Sequence, residues 1–140
     1  MYIDIHTHLT DQRYKGRAQD IIQKFKRDNI KFIINVGYNR ESSDGSVELA
    51  QKNDNVYAAV GIHPNDCKNA KEKDYKAFKE YARNPKVAAI GETGLDYHYE
   101  DSPSPAEQKH AFIRHMQIAR DAGLPIIIHL RDAYSDMYDI

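Results

Sequence analysis

Ile30-Lys31-Phe32-Ile33-Ile34-Asn35-Val36-Gly37 is an almost unbroken apolar run rich in β-branched residues. A strand that faces solvent on one side alternates apolar and polar residues. A strand buried on both faces does not, and such strands belong to parallel sheets covered by helices. Working outward, residues 17–29 place Ala18, Ile21, Ile22 and Phe25 on one helical stripe. Upstream of that helix, Tyr2 to Leu9 reads as an opening strand. Downstream, residues 40–52 read as a helix with Ser42 or Ser43 as N-cap, and Val56–Ile62 as a third strand stopped by His63-Pro64. Residues 72–83 form a helix through Tyr75, Phe78, Tyr81 and Ala82, and Lys86–Gly91 a fourth strand. The helix from Pro105 to Ala122 carries the clearest punctuation: Ser104 at the N-cap, Pro105 at its first position, Glu107 completing a capping box, and Gly123 at its end. Ile126–Leu130 is a fifth strand.

This β-α-β order, with right-handed crossovers, predicts an α/β fold with a parallel sheet and helices outside. Strand starts recur roughly every 26–40 residues, against about 31 per unit in a TIM-type (β/α)8 barrel. The 140 residues hold only five strands of such a barrel. They are expected to form one domain, 1–140, in which the outer sides of strands one and five are left unpaired. Ile34, Ile90 and Ile127 would show on the inner face. A chain of this kind is expected to be marginal alone, or held by self-association or by a missing C-terminal half. The final stretch DAYSDMYDI starts a helix without a C-cap, which points to a fragment.

Composition narrows the function. The 20 basic and 21 acidic residues give a net charge of −1, which argues against a basic nucleic-acid coat but leaves room for a metal-centred phosphodiester site. The lone Cys67 excludes an internal disulfide and suits a reducing compartment. No apolar run approaches the ~20 residues of a membrane span, and no basic stretch with an apolar core opens the chain, so a soluble cytoplasmic protein is expected.

Parallel α/β enzymes gather their chemistry at the C-terminal ends of the strands. Those ends carry His6 and His8, then His63, Glu92, His129 and Arg131. His6 and His8, two apart on a strand, aim at one volume. Alternation puts Ile127, His129 and Arg131 on one face, and Ala88, Ile90 and Glu92 on one face. His6, His8, Glu92 and His129 are therefore candidate ligands of divalent metal ions. Glu92 is the candidate catalytic carboxylate, since its two oxygens can bridge two ions of the kind that assist phosphodiester hydrolysis. His63 could touch substrate or cap its loop. Arg131 could hold a phosphate or pair with Asp132 or Glu92. Asp4 could accept an imidazole N–H or bond backbone. Asp96 and Tyr97 are expected to fix the loop after strand four. His98, His110 and His115 are taken as surface residues.

The segments IDIHTHL, VGIHP, GETGLDY and IIIHLRDA, in this order and spacing, resemble the TatD family of metal-dependent deoxyribonucleases, TIM-barrel hydrolases of the amidohydrolase-like group. The resemblance implies metal ligation by His6, His8, Glu92 and His129, with two divalent ions (Mg, Zn or Mn) in a complete site. It also implies exonuclease-like cleavage of DNA by a metal-bound hydroxide. Members of that family are about twice as long and carry a later histidine and aspartate. Asp132, Asp136 and Asp139 do not occupy the late position. Two other readings remain open: a hydrolase of small amides, esters or lactones, and an inactive half-barrel that binds metal or a partner chain.

Overall fold

The computed structural model describes residues 1–140. Five strands, β1 (Tyr2–Thr7), β2 (Ile30–Val36), β3 (Val56–Val60), β4 (Val87–Asp96) and β5 (Ile126–Arg131), form one sheet in chain order. Every neighbouring pair is parallel. The helices are α1 (Ala18–Ile22), α2 (Arg40–Lys52), α3 (Glu72–Tyr81), α4 (Pro105–Ala122) and the short α5 (Tyr134–Tyr138). The sheet is a curled half-barrel with alternating helices. No helix is long and apolar enough to cross a membrane.

The main core lies between sheet and helices, where Ile33, Val56, Ala58, Val60, Val87 and Ile90 meet Ile22, Val47, Ala50, Phe78, Ala111 and Ile118. A smaller cluster of Val36, Ala59 and Ala89, with Ile34 and Ile127 against it, lies apart from this core. Ile90 thus belongs to the helix-side core and is fully buried, not on the inner face. Simple alternation would carry Glu92 with it. The β4–β5 register shifts between Ile90 and Thr93, and Gly91 has φ +145°, so Glu92 is turned toward the histidines. Glycine is required here. A Cβ at Gly91 would lie 2.5 Å from the Ile127 carbonyl oxygen, and one at Gly94 would press closer still on that of His129.

Three further boundaries differ from the sequence pattern. The first helix stops at Ile22, and residues 23–29 continue as turns ending in left-handed Asn29, because only Phe25 anchors that polar stretch. The N-cap of α2 is Asn39, whose side chain accepts from the Ser42 N–H while Ser42 bonds back. Ser43 is instead buried, its Oγ 3.2 Å from both the N and O of Gly61. Strand β4 runs through to Asp96, five residues beyond Gly91. Cys67 lies buried in a 3-10 helix, Pro64–Asn69, and burial pushes its thiol up to about 11.

Candidate metal centre

The Nε2 atoms of His6 and His8 lie 3.2 Å apart at the end of β1. His8 Nδ1 is 2.8 Å from the Val36 carbonyl oxygen. That oxygen can only accept, so Nδ1 carries the ring proton and Nε2 keeps its lone pair toward the site. Glu92 Oε2 is 3.3 Å from His6 Nε2 and 3.8 Å from His8 Nε2. Three donor atoms thus converge on one small volume, within 4.8 Å of one another. Imidazole nitrogens with a carboxylate oxygen suit zinc and related divalent ions, so this donor set fits a metal.

Asn35 fixes the chain that carries these histidines. Its Oδ1 accepts from the Leu9 N–H at 2.6 Å and lies 3.4 Å from Thr7 Oγ1. Its Nδ2 donates to Ser46 Oγ at 2.8 Å and Thr10 Oγ1 at 3.2 Å. Fully buried, Asn35 ties the segment after His6 to α2.

The second half of the site lies on β4 and β5. His129 sits between two carboxylates, its Nδ1 3.0 Å from Glu92 Oε1 and its Nε2 3.0 Å from Asp96 Oδ2. His63 packs edge-on against it, ring centroids 4.2 Å apart. His63, Glu92 and His129 form a second group of possible metal-binding residues, sharing Glu92 with the first. Desolvation, then the nearby His129, depresses the His63 pKa. His63 also caps its loop, Nδ1 accepting from the Asn65 N–H at 3.2 Å. Burial pulls the Asp96 carboxyl upward, but hydrogen bonds from the His98 N–H and from His129 outweigh it, and the net shift is down.

Other candidates are placed differently. Arg131 pairs with neither Asp132 nor Glu92: it donates to Tyr99 Oη at 3.0 Å and lies over that ring, 5.1 Å from its centre. Asp132 instead meets His98 at 2.8 Å. Asp4 accepts the backbone N–H of His6 at 3.0 Å, which spends that oxygen on the main chain rather than on a ring. Tyr97 donates to Asp136 at 2.7 Å and ties the loop to α5. His110 is exposed, whereas His115 is fully buried, a correction to its reading as a surface residue. His115 Nδ1 is 2.7 Å from the Ala111 carbonyl, and its Nε2 accepts the Ile62 N–H at 3.1 Å. It therefore braces the chain directly before His63.

Two residues have a larger part than the sequence pattern gives them: Asp96, expected only to fix a loop, reaches His129, and Asn35 is not singled out by the pattern at all. Asp96 stands four residues beyond Glu92, an even spacing that extends the strand face past Gly91. Asn35 is the lone polar residue near the end of an apolar strand.

The model of the family described as TatD related DNase matches residues 3–140. The chain is 38% identical over its full length to the uncharacterised metal-dependent hydrolase YabD of Bacillus subtilis, covering 54% of it. It is 30% identical over 131 residues to the 3'-5' ssDNA/RNA exonuclease TatD of Escherichia coli K12, covering 94% of this chain and 50% of that one. The crystal structure of YjjV, a TatD homologue from E. coli K12, superposes with a TM-score of 0.88 at 25% identity, covering 97% of this chain and 53% of that one. The chain spans about half the length of the relatives it matches.

Proposed function

This chain belongs to the TatD-related DNase family, and on that premise we propose that residues 1–140 act as one domain carrying the N-terminal part of a metal-dependent phosphodiesterase site that cleaves DNA. The observation that carries this reading is the convergence of His6 Nε2, His8 Nε2 and Glu92 Oε2. His6, His8, Glu92 and His129 would hold the divalent ions, Glu92 being common to the group on β1 and the group on β5. Bound ions of this kind supply an activated water and offset charge on the phosphate. The chain's own contribution is placement. The Val36 carbonyl sets the His8 tautomer, Asn35 fixes the segment behind it, and His63 and Arg131 contact the phosphate. Arg131 can do so with a bidentate fork once it leaves Tyr99. The naming of the E. coli relative as a 3'-5' ssDNA/RNA exonuclease supports a single-stranded substrate trimmed from its 3' end. Exposed Ile3, Ile5 and Ile128 on the outer strands support pairing of those edges with further βα units or a second copy.

The test is a single-stranded DNA oligonucleotide labelled at its 5' end, incubated with Mg²⁺, Mn²⁺ or Zn²⁺. Shortening from the 3' end, lost on chelation and in Glu92→Gln, is the expected result. Cleavage that survives either treatment overturns the assignment. Turnover of a chromogenic carboxylic ester without any DNA cleavage selects the small-ester hydrolase instead.

A further inference from the structure

We propose that Asp96 is the positioning residue of His129, accepting its Nε2–H and thereby directing the Nδ1 lone pair at the metal. This rests on the metal-centre reading above and deepens it. The ring of His129 has a carboxylate at each nitrogen, and the two differ in freedom and in company. Glu92, on the Nδ1 side, turns its other oxygen to His6 and His8. Nδ1 therefore faces the volume where the remaining ligands gather.

Asp96, on the Nε2 side, is held on every side. Its backbone N–H donates to Gln108 Oε1 at 2.7 Å, and its carbonyl accepts from Gln108 Nε2 at 2.8 Å. Gln108 is itself fully buried on α4 and spends its other amide hydrogen on the Pro103 carbonyl. The Asp96 side chain is equally fixed. Oδ1 accepts the His98 N–H at 3.0 Å, and Oδ2 accepts from Asn65 Nδ2 at 3.2 Å. Asn65 is oriented in turn by Ser102, whose hydroxyl donates to Asn65 Oδ1 at 3.0 Å. A 1% exposed carboxylate so anchored cannot follow a ring that rotates. It fixes the ring instead. A histidine whose far N–H is held by a carboxylate is a better oriented and more basic ligand. A role confined to bracing the loop would need only the bonds to His98 and Asn65, and the contact with Nε2 goes beyond it.

The test uses the 140-residue chain with Zn²⁺ as probe. Long-range ¹H–¹⁵N correlation spectra of the histidine side chains report which nitrogen is protonated and which is ligated. The expected result is His129 protonated at Nε2 and shifted by ligation at Nδ1. Asp96→Ala should weaken Zn²⁺ binding by about 10- to 100-fold in calorimetry. Asp96→Asn, which keeps the size and an acceptor oxygen, should fold as the native chain does and lose less affinity. Ligation of His129 through Nε2, or native affinity in both variants, overturns the role of Asp96 and leaves the metal centre standing. A native chain that takes up no Zn²⁺ overturns the metal centre, and the role of Asp96 with it.

Discussion

Strands β1 and β4 both bring polar groups to the same site, and they are held in opposite ways. In β4 every residue but Ala88 is buried, and the strand has neighbours on both sides. In β1 no residue is buried, and one edge is open. Glu92 and Asp96 are therefore placed by packing and by close backbone approach. His6 and His8 are placed by a few hydrogen bonds from β2. Packing distributes a constraint over many atoms, whereas a hydrogen-bond clamp concentrates it in one or two side chains. Damage to β4 should therefore unfold the chain, and damage to the β1 clamp should loosen the site while the sheet survives.

The largest effect is expected at Gly94. A Cβ there collides with backbone rather than with a flexible side chain, and its φ of +145° disfavours any other residue. Gly94→Ala should cost more than about 3 kcal/mol, in the range reserved for strain and overpacking. Urea denaturation measures it, and a loss under about 1 kcal/mol, no more than an ordinary substitution costs, would show that β4 and β5 can move apart.

His115 tests the same rigid half by pH. Burial holds the folded His115 pKa at about 4, against 6.5 for an ordinary histidine. The folded form stays neutral until the pH approaches 4, while the unfolded chain binds a proton from about 6.5 downward. The contribution is complete above the unfolded value and is lost as the pH falls. The loss should reach about 2 kcal/mol at pH 5. The difference in urea midpoint between pH 7 and pH 5 should shrink in His115→Gln, which cannot take up that proton. An unchanged pH slope would show that other groups carry the acid sensitivity.

The rigid half of the molecule also marks where the sequence is and is not informative. The five strands and the parallel order follow from apolar runs such as Ile30–Val36 and from helix punctuation at Ser104, Pro105 and Gly123, all local signals. The gathering of His6, His8, Glu92 and His129 at one sheet end follows from strand order and needs no side-chain detail. The shift at Gly91 does not, because it arises from the approach of β5, a chain segment 35 or so residues away in sequence. Nor does the burial of His115: it shares no helical face with His110, five residues before it, so no local pattern marks it as a site residue, and only the Ile62 N–H gives its ring a reason to be inside. Asp96 reads as a loop residue as long as the apolar run Lys86–Gly91 marks the whole of the fourth strand, whereas β4 continues to Asp96.

The clamp on β1 is expected to give a smaller and more local effect. Asn35→Ala removes four hydrogen-bond partners of buried or half-buried groups at once. The unpaired Leu9 N–H alone should cost about 1–3 kcal/mol. Hydrogen exchange distinguishes this from global loss. Amides of Thr7, Leu9 and Thr10 should lose protection, while those of Val87–Ile90 keep theirs. Equal loss in both strands would erase the contrast between them.

The smallest effect belongs to the open edge itself. Ile5 is 63% exposed on β1, whereas Ile90 on β4 is fully buried. The two side chains have the same size and the same strand preference, so any difference on truncation comes from burial alone. Ile90→Val should cost about 0.5–1.5 kcal/mol, by the loss of one buried methylene and the gap it leaves. Ile5→Val should change stability by less than about 0.5 kcal/mol, because water already reaches the group removed. Chemical denaturation of both variants under one condition decides it. A cost at Ile5 equal to that at Ile90 would mean that β1 is covered in solution, and a concentration dependence of that cost would identify the cover as a second copy of the chain.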